Sequence, residues 1–128
     1  MTRPNRDAEW LQNVLDAIGK VEWRTRGGRT LFDADDVLQD AIIRQVAIIG
    51  QAVKRLSEDV KRTYPDIPWR EIAGMRDILV HDYNDVDLDI VWAVVEKDLP
   101  ALKAVVQKAL ATEATTSPPP QPPRPPKS

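Results

Sequence analysis

Apolar residues recur at three- and four-residue steps along most of this chain, and nowhere do they alternate in a run bounded by hairpin turns. That pattern restricts the fold to packed amphipathic helices, because a helix returns a side chain to the same face every 3.6 residues and a strand every second one. Leu11, Val14, Leu15, Ile18 and Val21 mark a first helix, with Asn5 suited to its N-cap and Gly27-Gly28 to its stop. A second starts near Asp33 and carries Val37, Leu38, Ala41, Ile42, Val46, Ile49, Val53 and Leu56. At ~1.5 Å per residue it would be about 35 Å long. Asp33, Asp35 and Asp36 crowd its positive N-terminal end, and Lys54 and Arg55 its negative end.

Ser57 to Thr63 adds a short helical turn, after which Tyr64-Pro65-Asp66-Ile67-Pro68 requires an extended connection. Pro68 suits the first turn of a third helix bearing Trp69, Ile72, Met75 and Leu79 on one side. Asn84-Asp85-Val86-Asp87 breaks the pattern, and Asp87 is placed to cap a fourth helix through Leu88, Val91, Trp92 and Val95. Pro100 should kink or end it, with Leu102, Val105, Val106 and Leu110 continuing. The expected fold class is all-α, an antiparallel bundle of four to five helices. Residues 1–114 form the helical domain. Residues 115–128 form a proline-rich tail, which holds most of the chain's 11 prolines and is expected to be disordered or polyproline II.

The single histidine lies in Arg76-Asp77-Ile78-Leu79-Val80-His81-Asp82-Tyr83, placed by the periodicity on the third helix. One histidine and no cysteine exclude a multi-histidine or thiolate metal centre and a thiol nucleophile. No cofactor or metal is expected. On a helix, Asp77 and His81 share a face, and a carboxylate one turn before an imidazole can orient it and favour its protonated form. Arg76 and His81 would be about 140° apart at ~100° per residue. One helix therefore does not make a tight pair, whereas a second copy across a two-fold axis could. An imidazole and a guanidinium suffice for metal-independent RNA cleavage: the base activates a ribose 2′-OH, and the cation stabilises charge on the phosphate. A plain structural reading competes, with His81 capping a helix end and Arg76 bridging to a carboxylate. Asp82, Asp85, Asp87 and Asp89 lack the glycine and terminal glutamate of a calcium loop, which makes them caps and solvated charges.

A net charge of −2 argues against a nucleic-acid partner for the chain as a whole. Arg24, Arg26 and Arg29 around the Gly-Gly turn, and Lys54, Arg55, Lys61 and Arg62, are local exceptions that read as solvated helix ends. The polar N-terminus has no apolar h-region, no stretch approaches the ~20 residues of a membrane span, and the lack of cysteine fits a cytoplasmic setting.

The octapeptide also resembles the Arg-x4-His-x-Tyr signature of the HEPN superfamily, and in particular of HepT-like toxins. Asp40 to Arg44 and Ile48 to Lys54 are similar to the second helix of those proteins, and Ile67 to Arg76 to their approach to the site. Asp87, Val91-Trp92 and Asp98 to Leu102 are similar to the segment beyond their site, so the likeness covers residues 5–111. The resemblance implies a HEPN-type bundle, homodimeric, with its site in a cleft between protomers. It implies the RNase toxin of a type VII toxin–antitoxin pair, with Arg76 and His81 in the catalytic positions and Asp77 beside them. It further implies a minimal nucleotidyltransferase (MNT) antitoxin that transfers AMP to Tyr83, and higher hetero-oligomers with it. A second class is also consistent with these residues: a non-catalytic subunit that binds nucleotide or substrate for a nucleotidyltransferase.

Overall fold

The apolar stripe of the first helix is realised as α1, Asp7–Arg24, which buries Leu11, Val14, Ala17, Ile18 and Val21 along one side. The computed structural model describes residues 6–82 and 85–116, with side chains for all of these except 78, 80–82, 85 and 114–116. Asn5 therefore lies outside the described residues. Arg6 occupies the N-cap position without a side-chain cap bond and pairs with Glu9 at 2.8 Å. At the other end the Thr25 hydroxyl donates to the Val21 carbonyl at 2.7 Å. Gly28 then turns the chain at φ 87°, in the left-handed region that a Cβ disfavours.

A short helix that the periodicity did not indicate comes next, α2, Arg29–Asp33. Five residues are too few to show a helical stripe. Its anchor is Phe32, fully buried, with its ring centroid 5.4 Å from that of Trp92. Arg29 reaches Asp33 at 3.3 Å and also bonds Asp89. The hydrogen bond to Asp89 raises the pKa of the Arg29 guanidinium above its ordinary value.

The long second helix, α3, spans Asp36–Arg55 and starts later than expected. Asp35 is extended (φ −129°, ψ 100°), and its carboxylate accepts from the Leu38 N–H. Ile42, Val46, Ile49 and Val53 are buried on one side, while Val37 is 73% exposed because it lies in the first turn, beyond the core. Ser57 caps α4, Glu58–Thr63, and both its N–H (2.9 Å) and its hydroxyl (2.6 Å) donate to the buried Asp7 carboxylate. The start of α1 thus meets the end of α3, and the two helices run antiparallel.

Past the double-proline connection, where the Trp69 indole donates to the Tyr64 carbonyl at 2.9 Å, the chain returns along α3 as two short helices. These are α5, Trp69–Ala73, and α6, Met75–Leu79, with Gly74 between them. A small antiparallel ribbon comes after them, β1, Val80–Asp82, paired with β2, Asp85–Val86. Asp87 accepts from the N–H groups of Asp89 and Ile90 and opens α7, Leu88–Ala93. A π turn, Val94–Asp98, leads directly into α8, Leu99–Thr116. Pro100 therefore does not end the helix. It lacks the N–H that the Glu96 carbonyl would accept in a regular α-helix, and the widened turn before it is the local adjustment. Lys103 of α8 meets Glu22 of α1 at 2.9 Å.

Six of the eight α-helical segments among the described residues act as four rods, α1, α3, α5 with α6, and α7 through α8, with the short α2 and α4 lying between them in the chain. They enclose one core that runs from Leu11 to Ala109. The fold is all-α, as the spacing indicates, apart from the two-stranded ribbon. The tail was expected to begin at residue 115, but α8 continues through Thr116, and residues 117–128 lie outside the described residues.

Candidate active site

Gly50 sets the position of the motif. A Cβ there would come within 2.9 Å of the Ala73 carbonyl oxygen and 3.3 Å of the Ile72 carbonyl oxygen, so its absence lets α3 touch the backbone of the α5–α6 elbow. Trp69, Ile72, Met75 and Leu79 are buried beneath the elbow. Met75 and Leu79 are four apart and turn one face of α6 inward.

That packing leaves Arg76 and Asp77 on the outward face, with side chains 61% and 85% exposed. The Arg76 Nη1 lies 4.0 Å from the Asp77 Oδ1, the outer limit of an ion pair. No other partner of Arg76 occurs among the described residues. Its cation is free to meet an anionic ligand.

The helix ends at Leu79, so the motif does not lie on one helix as the spacing suggested. His81 sits in β1, where Val80 pairs with Val86 and Asp82 with Asp85. The reason is local. Asp87 must cap α7, so the chain has to reverse between the two helices, and a paired ribbon satisfies backbone groups that a terminating helix would leave open. Two inferences from helical geometry fall with this: the shared face of Asp77 and His81, and the 140° separation of Arg76 from His81. The structure brings Arg76 and Asp77 together and places the His81 backbone just past the end of their helix. Tyr83 lies outside the described residues.

The basic clusters divide by use. Lys61 approaches Glu58 at 3.8 Å and Arg62 pairs with Asp59 at 2.6 Å, both on an exposed turn. Arg55 lies 6.0 Å from the Trp10 ring centroid. Arg29 is taken up by Asp33 and Asp89, which also accounts for Asp89 in the acidic run. Among the described residues no group of three or more His, Cys, Asp or Glu could hold a metal ion, and no helix is long and apolar enough to cross a membrane. Sequence reading gave no weight to Gly50 as a positioning residue. Only the packing shows that role, because a glycine inside an apolar helical stripe carries no sign of what faces it.

Comparison with known proteins bears on this arrangement. The model of the family described as Ribonuclease HepT-like matches residues 14–109, from the middle of α1 into α8, with the whole motif inside. The chain is 40% identical over 111 residues to a "probable ribonuclease HepT" of Thermococcus cleftensis, covering 84% of this chain and 97% of that one. It is 42% identical over 105 residues to a candidate RNase of Caldanaerobacter subterraneus subsp. tengcongensis, covering 81% and 94%. A Methanocaldococcus jannaschii protein, named as a gamma-glutamylcyclotransferase and candidate RNase, is 41% identical over 102 residues. There the match covers 79% of this chain and 46% of the relative, so the chain spans about half the length of that protein. No solved structure matches the chain.

Proposed function

The chain belongs to the HepT-like ribonuclease family, an RNA-cleaving class of enzyme, and from that premise we propose that it is the toxic component of a type VII toxin–antitoxin pair. The observation that supports the site assignment is the exposed Arg76 guanidinium, held on a helix seated by the buried Met75 and Leu79 and with only a 4.0 Å approach to Asp77 among the described residues. Arg76 holds the scissile phosphate and Asp77 orients the guanidinium. His81, on the strand after that helix, takes the ribose 2′-OH proton. The 2′-oxygen then bonds to phosphorus, the bond from phosphorus to the 5′-oxygen breaks, and that oxygen leaves with a proton returned by the imidazolium. The products are a 2′,3′-cyclic phosphate and a 5′-hydroxyl end. No step requires a metal.

The reading extends to a homodimer that brings two copies of the exposed α6 face together. It extends also to a nucleotidyltransferase antitoxin that transfers AMP to Tyr83. An adenylate there adds negative charge and bulk two residues from His81, and both oppose an incoming RNA backbone. The deciding experiment is cleavage of single-stranded RNA in EDTA by the wild type and by His81→Ala. Loss of about 10²-fold or more in rate, with an unchanged helical signal, is the expected result for a removed general base. Undiminished cleavage by His81→Ala, or a strict need for added metal, overturns the mechanism. Tight nucleotide binding without any cleavage would favour the non-catalytic subunit instead.

A further inference from the structure

The net charge of −2 hides an uneven distribution of cations. An open groove of about 910 Å³ runs between the C-terminal half of α1 and the start of α3, lined by Lys20, Trp23, Arg24 and Arg26. Lys20 and Arg24 also line an adjoining groove of about 500 Å³ that continues along α3 past Arg44 and Gln45. Among the described residues Lys20, Arg24 and Arg44 have no ion-pair partner, in contrast to Arg29, Arg62 and Lys103.

The carboxylates in the two grooves are fewer and partly engaged. Asp16 accepts from the Gln12 amide at 2.8 Å and Asp35 caps α3 through the Leu38 N–H at 3.1 Å, and with Asp40 they set three negative charges against the four cations Lys20, Arg24, Arg26 and Arg44. Two further features are not electrostatic. Trp23 is 66% exposed, and the Arg26 guanidinium lies 3.7 Å from its ring centroid. Arg26 is fixed there by donating to the Trp23 carbonyl at 2.6 Å. It stacks over the ring, while the Trp23 residue as a whole stays 66% exposed. Gln45 is only 7% exposed, lines the second groove, and has a buried Oε1 without a hydrogen-bond partner among the described residues. A buried acceptor left unpaired costs free energy unless a donor reaches it.

We propose that these joined grooves are a binding track for single-stranded RNA, separate from Arg76 and His81. Trp23 stacks a base, Lys20, Arg24 and Arg44 follow the phosphates, and Gln45 accepts a base N–H. The combination of an exposed aromatic ring, free cations at successive turns and an unfilled acceptor matches how sequence-tolerant single-strand sites are built. The track lies at a useful end of the molecule. Arg29, just past the Gly27-Gly28 turn, is bonded to Asp89, and Asp89 lies three residues beyond the ribbon that carries His81. This inference rests on the RNase reading for its biological sense, but its test does not.

The test is fluorescence anisotropy of the full chain with a labelled, 2′-O-methylated oligocytidylate of about 12 nucleotides, a length within single-strand site sizes. Such a strand cannot be cut through its 2′-OH, so binding is read without catalysis. Trp23→Ala should weaken binding about 10-fold, as expected for a lost stacking contact. The double variant Lys20→Gln/Arg24→Gln should reduce the slope of log affinity against log salt by about 1.4, or roughly 0.7 per phosphate contact. All three side chains are at the surface, and circular dichroism checks that the helices persist. Unchanged affinity and slope in both variants overturn the proposal, as does a wild type that does not bind the strand at low salt. Variants that keep RNA binding but lose a nucleotidyltransferase partner would make the groove a protein interface, and also overturn it. If the wild type binds the strand yet leaves unmodified RNA intact, the groove stands and the catalytic reading fails alone.

Discussion

Arg29 and Arg76 both lie in the first turn of a five-residue helix, and the fold treats them in opposite ways. Arg29, 41% exposed, is bonded to Asp33 one turn on and to Asp89 at the start of α7, so it joins two parts of the chain 60 residues apart. Arg76, 61% exposed, has among the described residues only a neighbour at 4.0 Å. A guanidinium whose donors already face two carboxylates has little left for a phosphate, whereas an unpaired one keeps its full planar fork. The same residue type in the same local setting is thus a brace in one region and a candidate anion holder in the other. The difference between them is the position of acids supplied by distant segments.

The largest effect should come from removing each arginine in turn. Arg76→Ala is expected to lower RNA cleavage by about 10²-fold or more, in the range for a lost electrostatic contact to the transition state, with its melting temperature near that of the wild type. Arg29→Ala should do the reverse, lowering the melting temperature while cleavage stays within a few-fold. Exchanged outcomes would mean that the exposed arginine is structural and the braced one catalytic.

A smaller effect contrasts two helical glycines. Gly50→Ala presses a methyl group onto the Ala73 carbonyl at 2.9 Å and should cost about 1–3 kcal/mol in urea unfolding, with a fall in cleavage as the α5–α6 elbow shifts. Gly19→Ala on α1 meets nothing within 4 Å and should stabilise by about 0.5–1 kcal/mol. Equal effects of the same sign would remove the claim that close approach at Gly50 positions the motif.

The smallest effect concerns the return from the ribbon into α7. Asp87→Ala loses acceptors for the Asp89 and Ile90 N–H groups and should cost about 1 kcal/mol in thermal unfolding. Asp87→Asn keeps a side-chain oxygen and should lose much less. If the two variants are equally destabilised, charge rather than capping holds that turn.

The long helices were legible because their residues repeat one face many times over. Leu11 to Val21 and Ile42 to Val53 report their own burial, and Asp87 announces a cap by its residue type. The motif was legible as a set of chemical groups: Arg76, Asp77, His81 and Tyr83 stand out in any reading of the chain. Its geometry was not. Met75 and Leu79 fit a helix that could have continued through His81. Nothing within that octapeptide shows that Val80 will pair with Val86.

Sequence by itself therefore determined the all-α class, the extents of the main helices to within a few residues, and the identity of the candidate site residues. Those depend on neighbours within about two turns, and periodicity and capping chemistry record such neighbours directly. Only the tertiary structure decided which charges were left free, where α3 could touch the α5–α6 elbow, and that His81 would stand on a strand. It also brought Asp7 against Ser57, 50 residues away, and gathered Lys20, Trp23, Arg24 and Arg44 along one surface. These outcomes depend on segments that meet only after the core has closed, so the local pattern of residues holds no record of them.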